Sequence, residues 1–250
     1  MRCGVEDFSI MERFTERTRA LLGDAAVKRL GSARVVVVGL GGVGSYAAEA
    51  VVRSGVGHVT LVDHDTVDIT NLNRQLCALH STLGQPKAEV CRARALDIHP
   101  GADIRALCVF CDEQTLPALL EPRPDCVLDC IDTVGPKTAL IAACAARGIP
   151  IFSALGTGRK LDASRLCVRD VFDTKGDPLA RAVRRELRRR GVERLTVVCS
   201  DEEPVGTLVA SEKTLAGDRR PTPGSVAWVP GCAGLMLASL AVRCIAEGSV

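Results

Sequence analysis

Three stretches of this sequence combine residue types and spacing that suit phosphate chemistry. The first is Gly39-x-Gly41-x-x-Gly44, set directly after the apolar run Val35–Val38 and just ahead of "SYAAEAVV". Such a turn lets backbone approach a phosphate at a helix N-terminus, and Asp63 or Asp65 ends the next apolar run where a ribose hydroxyl would sit. By itself the pattern serves NAD, FAD or ATP. The second stretch is "TNLNRQ", Thr70–Gln75, followed by "GQPKAE" with Lys87, and the third is "LDCIDT" with Asp132.

The later stretches favour ATP. A nicotinamide cofactor carries a diphosphate that helix N-terminal amides largely satisfy. A triphosphate broken between its α and β phosphates develops negative charge on the leaving pyrophosphate, which cations and Mg2+ stabilise. Arg74 and Lys87 supply cations, and Asp132 supplies a carboxylate for Mg2+. Each residue alone has a plainer reading: Asp132 as a helix cap, Lys87 as a solvated side chain, Asn71 and Asn73 as turn formers. Gathered at one sheet edge, they point to a nucleotide site. An NAD-linked oxidoreductase would want a proton-transfer His, and His58, His64, His80 and His99 lie near turns or helix ends. A nucleotide-regulated binding module without turnover is the third class, against which Arg74, Lys87 and Asp132 together argue.

The elements that must position these groups follow from periodicity. Residues 12–30 read as a helical lead-in. Strands are expected at 35–38, 58–65, 102–110, 124–132 and 149–156, with helices after the glycine turn and at about 87–98, 112–121 and 136–148. That alternation predicts an α/β, Rossmann-like, mostly parallel twisted sheet with helices on both faces. The C-terminal half should extend it with antiparallel strands, "RLCVRDVF" and "TVVCSDEEP". Between these, "DPLARAVRRELRRRGVERL" reads as a helix with Asp177 as N-cap, Pro178 first and Gly191 at its end. Residues 201–225 read as a mobile loop suited to a lid, and a buried C-terminal helix is expected from near Gly231. The whole chain reads as a single domain over 1–250, with nucleotide binding in 12–160 and substrate-side elements in 161–250.

A chain of 250 residues with 47% apolar content can bury a substantial core. A net charge of +2 creates no global field for nucleic acid or membrane, yet six of the 32 cations are Lys and the rest are Arg, the better bidentate phosphate ligand. The N-terminus has no apolar signal core, so the 12 cysteines are expected as free thiols in a reducing cytoplasm. No zinc is expected, because Cys108-x-x-Cys111 and Cys126-x-x-x-Cys130 are not matched ligand pairs. The apolar segment 226–242 leaves weak membrane association open. Either Met1 or Met11 would serve as a start, since every residue singled out lies after Met11.

The motifs "GLGGVGS", "LVDHDTVDITNLNRQ", "GQPKAE" and "LDCIDT", in that order, resemble the ubiquitin-activating-enzyme superfamily in its small ThiF/MoeB-like form, over about residues 13–160. The resemblance implies carboxylate adenylation. Gly39, Gly41, Gly42 and Gly44 would approach the phosphates and Asp63 would hold the ribose. Asn71, Asn73, Arg74 and Lys87 would contact the triphosphate, and Asp132 would coordinate Mg2+. It also implies a homodimer in which an N-terminal Arg, here Arg17 with Arg13 and Arg19 as alternatives, reaches a partner's site.

Two readings of the activated carboxylate follow. Sulfur-carrier activators of the superfamily adenylate the C-terminal glycine of a ubiquitin-like protein and carry two Cys-x-x-Cys zinc pairs in the later half, which this sequence lacks. The Arg-rich helix followed by "VVCSDEEP" instead resembles the branch that dehydrates threonylcarbamoyladenosine in tRNA, extending the likeness to about residue 245. In that reading Arg181, Arg184, Arg185 and Arg188 share a helix face and contact tRNA phosphates. A thioester role for Cys199 or Cys232 is disfavoured, since the nucleophile belongs to the substrate. A cysteine-desulfurase sulfur-relay protein is a partner that family association suggests.

Overall fold

The apolar run at 35–38 lies in the interior of the sheet with both of its faces covered, as its continuous valines require. The computed structural model describes residues 13–209 and 222–248. Strand β1 (Arg34–Val38) pairs in parallel with β2 (His58–Val62) on one side and β4 (Cys126–Asp129) on the other, so that Val35 lies opposite both Val59 and Cys126. Beyond them come β3 (Asp103–Leu107), β5 (Ile151–Ala154), β7 (Thr196–Ser200) and β6 (Leu166–Asp170), in the order β3-β2-β1-β4-β5-β7-β6. The edge strand β6 alone in this sheet is antiparallel to its neighbour.

Helices α1 (Glu16–Leu22) and α2 (Asp24–Ser32) lead into β1. Val35 and Val37 face a core shared by α2, α3 (Gly44–Arg53), α4 (Lys87–Ile98) and α8 (Trp228–Glu247), which includes Leu30, Val51, Ala88 and Leu237. Val36 and Val38 face the opposite side, packed with Leu116 and Leu119 of α5 (Leu116–Leu119) and Leu140 of α6 (Val134–Ala146). The period of two along β1 thus reads out as two hydrophobic layers. Fully buried leucines such as Leu128 and Leu237 each contribute about 1.5–3 kcal/mol.

Helix α7 (Pro178–Arg189) begins as its sequence predicts: the Asp177 carboxylate accepts from the Ala180 N–H at 2.9 Å, Pro178 is the first residue, and Gly191 follows the last turn at φ +71°. Ala180, Val183 and Leu187 are its buried face.

Several expectations are corrected. The helix expected over 112–121 shrinks to Leu116–Leu119, because the Asp112 carboxylate accepts from the N–H groups of Gln114 and Thr115 and holds a turn where the helix would start. The strand expected to reach Phe172 stops at Asp170, whose carboxylate accepts from the Phe172 N–H and opens a 3-10 turn. The segment 201–225 is not all free loop. Glu202 accepts from the N–H groups of Leu161 and Asp162, Arg159 donates to the carbonyls of Val205 and Gly206, and β8 (Leu208–Val209) pairs with β9 (Thr222–Pro223). Residues 210–221 of the expected lid lie outside the described residues.

The C-terminal helix starts at Trp228 rather than near Gly231. Its length and composition alone would allow a membrane crossing. Apart from the exposed Trp228 and Leu235, most of its large apolar side chains are instead taken up by the core, and Gly234 lets α3 come so close that a Cβ there would lie 2.3 Å from the Val43 carbonyl oxygen. Replacing a helical glycine with alanine ordinarily gains up to about 1 kcal/mol, but here the new Cβ would meet the backbone of Val43 and Ala47, which has no room to yield. Gly234→Ala is therefore expected to lower stability by about 1–3 kcal/mol in urea denaturation, the cost of overpacking exceeding the gain in propensity.

Candidate active site

The strand order reverses between β1 and β4, and ligands of open α/β sheets bind in the crevice beyond the carboxyl ends of the strands at such a point. The glycine turn leaves β1 there, Asp63 leaves β2, and Cys130–Asp132 leave β4. Gly39 has φ +87°, and a side chain on it would meet the Cys130 carbonyl oxygen at 2.9 Å; a Cβ on Gly44 would lie 1.7 Å from the Gly39 carbonyl oxygen. Only glycine permits this fold of the turn. Among the described residues no group accepts from the N–H of Gly41, Gly42 or Val43, which precede the N-terminus of α3.

Two adjoining clefts meet at this turn. The first, about 240 Å3, is bordered by Asp63, Asp65, Asn71, Lys87 and Phe110. The second, about 450 Å3, is bordered by Leu155, Pro178, Leu179, Leu208 and Pro223. Gly41, Arg74, Gln75, Cys130, Ile131 and Asp132 line both.

The side chains are held as follows. Asp63 is buried, and its two carboxylate oxygens accept from the N–H of Leu40 at 2.6 Å and of Asp65 at 2.8 Å, so it shapes the glycine turn as well as facing the cleft. Lys87, the buried first residue of α4, pairs with the exposed Asp65 at 3.0 Å. Arg74 donates to the Thr70 carbonyl and the Asn73 side chain, both at 2.9 Å. Burial lowers its guanidinium pKa, and the nearby Asp132 carboxylate opposes that shift. Asp132 is exposed and, among the described residues, accepts only from Thr133 Oγ1, at 3.1 Å. Asn71 is buried, and its side-chain oxygen accepts from the Asp68 N–H at 3.1 Å, closing a capping box.

The geometry separates the sequence-predicted residues. Gly39, Gly41, Asp63, Asn71, Arg74, Lys87 and Asp132 come together at the first cleft, and Gly42 lines the second. Gly44 shapes the turn from behind. Asn73 borders neither cleft; its amide donates to the Ser225 carbonyl at 3.0 Å, tying the "TNLNRQ" segment to the approach to α8. Arg17 is exposed on α1 and borders neither cleft of its own chain. On α7, Arg184 turns inward to Thr174 and is not free on the face, whereas Arg181 and Arg185 are exposed and without an ion pair among the described residues, and Arg188 lies over the Phe172 ring at 5.1 Å. Cys199 is buried in β7 opposite Cys167, and burial pushes its thiol up to about 12, away from the thiolate a nucleophile needs.

Comparison with known proteins fits this arrangement. The ThiF family model matches residues 15–248. The chain belongs to the ThiF family. This ThiF-family chain is 40% identical over 228 residues to the tRNA threonylcarbamoyladenosine dehydratase of Bacillus subtilis, covering 88% of this chain and 90% of that protein. It is 34% identical over 211 residues to the molybdopterin-synthase adenylyltransferase of Escherichia coli, covering 82% and 80%. The crystal structure of E. coli tRNA N6-threonylcarbamoyladenosine dehydratase in complex with ATP superposes with a TM-score of 0.85 at 31% identity, covering 95% of this chain and 96% of that one. The Rossmann-like sheet expected from the sequence is thus shared with a solved relative.

Sequence reading missed the groups beneath the site. Lys137 on α6, Asp129 at the end of β4 and Ser153 on β5 are all fully buried, with Lys137 Nζ 2.6 Å from Asp129 Oδ2 and 3.0 Å from Ser153 Oγ. The other Asp129 oxygen accepts from the Ile131 N–H at 3.0 Å, which sets the path of the chain toward Asp132. The one available signal was a Lys inside the otherwise apolar "PKTALIAAC". Removing one partner strands a buried charge, so Lys137→Met is expected to cost about 3–5 kcal/mol in urea denaturation, whereas Asp129→Asn with Lys137→Met should recover most of that loss.

Proposed function

We propose that this protein dehydrates threonylcarbamoyladenosine in tRNA, using ATP to adenylate the threonyl carboxylate. The carrying observation is the wall common to the two clefts: the glycine turn, Arg74 and Asp132 border both, so a nucleotide in the first would present its α phosphate to a substrate in the second. The names of the B. subtilis and E. coli relatives support the substrate, and the ATP complex of the E. coli protein supports the nucleotide.

In this reading a carboxylate oxygen attacks the α phosphorus, the bond to the bridging oxygen breaks, and its electron pair leaves with pyrophosphate. The carbamoyl group of the same nucleoside then attacks the acyl carbon, loses a proton, and expels AMP. The carboxylate oxygen departs on AMP, so the nucleoside loses one water. Positioning by the clefts and the charges of Arg74 and Lys87 carry the rate. Lys87 exchanges Asp65 for a phosphate when nucleotide enters, Asp63 holds the ribose, and Asn71 completes the nucleotide wall. Asp132 suits Mg2+, being an exposed carboxylate with one neutral donor on it, since that ion takes one or two carboxylates together with phosphate oxygens. Bound there, Mg2+ would neutralise charge developing on pyrophosphate. Arg17 of a second copy would complete the site in a homodimer, and a tRNA substrate assigns the reaction to the cytoplasm.

The test is to incubate the protein with ATP, Mg2+ and tRNA bearing threonylcarbamoyladenosine, then digest the RNA and weigh its nucleosides. The expected result is loss of one water from the modified nucleoside, matched by AMP and pyrophosphate. An unchanged nucleoside, with ATP–pyrophosphate exchange only when a protein ending in Gly-Gly is added, would transfer the site to carrier-protein activation.

The first turn of α7 borders the second cleft, and Arg181 and Arg185 continue from it along the exposed face. Arg181→Glu with Arg185→Glu is expected to weaken tRNA binding and flatten its salt dependence by about one to two in logarithmic slope, leaving ATP affinity unchanged. Filter binding across a salt series measures both.

A further inference from the structure

Gln75 closes the "TNLNRQ" segment, and the adenylation scheme above gives it no role. It is 7% exposed, lines both clefts, and its Oε1 is buried without a hydrogen-bond partner among the described residues. Its backbone is fixed: the N–H donates to the Asn71 carbonyl at 2.9 Å, and its carbonyl accepts from the Ala78 N–H at 3.1 Å. Its Nε2 is the nearest atom to the place a Cβ on Gly41 would occupy, at 3.8 Å, so the carboxamide faces the glycine turn. Buried polar groups nearly always have partners within the fold, and one left without a partner weakens the fold that holds it. Among the described residues its Nε2, the donor end, has no hydrogen-bond acceptor either, so a rigid backbone holds a free N–H beside the glycine turn, on the wall where carboxylate and α phosphate would meet.

We propose that Gln75 is a catalytic residue whose carboxamide N–H donates a hydrogen bond to an anionic oxygen at that junction, on either the attacking carboxylate or the α phosphate. This rests on the carboxylate-adenylation reading. The amide adds no net charge and transfers no proton. It directs the oxygen, while Arg74 and Lys87 neutralise charge.

Gln75→Leu keeps bulk and removes the unpartnered polar group, so structure and function should move apart. The melting temperature should stay level or rise, while kcat for nucleoside dehydration falls by about 100-fold, the usual effect of losing one preorganised donor. Calorimetric ATP affinity, measured without tRNA, distinguishes the sources. A parallel loss assigns the contact to the phosphate, and unchanged affinity with lowered kcat assigns it to the carboxylate. Undiminished turnover in the folded leucine variant would overturn the proposal. Gln75→Glu, of equal size, provides a second reading should the leucine variant not fold: its carboxylate should repel the anion and depress turnover at least as far, and wild-type turnover would again overturn the role. Failure of the unaltered protein to dehydrate the nucleoside would instead count against the adenylation reading itself.

Discussion

The architecture of the site depends on one buried ion pair. Lys137 and Asp129 are both fully buried, and neither charge can be hydrated, so each must be satisfied by geometry alone. Their contact, with Ser153 joined to both, fastens α6, β4 and β5 at a single point. Because Asp129 also accepts from the Ile131 N–H, the direction in which the chain leaves β4 is fixed as well. That direction presses the Cys130 carbonyl against Gly39, so the glycine turn and the Asp132 loop take their shapes from each other.

On the other side of the turn a second constraint acts through Asp63. One carboxylate both receives the Leu40 N–H and borders the first cleft, so the shape of the turn and the lining of the cleft draw on the same group. The long apolar helix α8 backs this arrangement. Its Pro230 sits beside Gly42, and its Gly234 abuts the carbonyl of Val43, which brings this helix directly behind the glycine turn.

Sequence made the parallel sheet legible because valine runs, glycine turns and capped helices are local signals. It also identified the cleft residues Asp63 and Asp132, which follow strand ends, and Arg74 and Lys87, which lie in the connection from β2 to α4 and at its end. What it missed were partnerships between distant segments. Asn73 reads as a phosphate contact in its motif, but the Ser225 carbonyl claims it. Arg184 reads as one of four equivalent cations on a helix face, yet Thr174 turns it inward. Asp112, by capping early, shortened a helix whose pattern was otherwise sound. Lys137 and Gln75 carried no periodic signature, since what distinguishes them is burial rather than spacing.

The two walls of the site have different origins. The wall common to both clefts is anchored at the ends of β1 and β4, through the glycine turn and the Cys130–Asp132 segment, and cannot change without disturbing the sheet. Part of the opposite wall, at Leu208 and Pro223, belongs to the small β8–β9 ribbon, whose strands pair with each other and, among the described residues, with no strand of the main sheet. A ribbon of that kind can be lengthened or reshaped without altering the reaction centre. One adenylating chemistry can therefore be presented to substrates of different size, with selection acting on an appendage while the scaffold stays as it is.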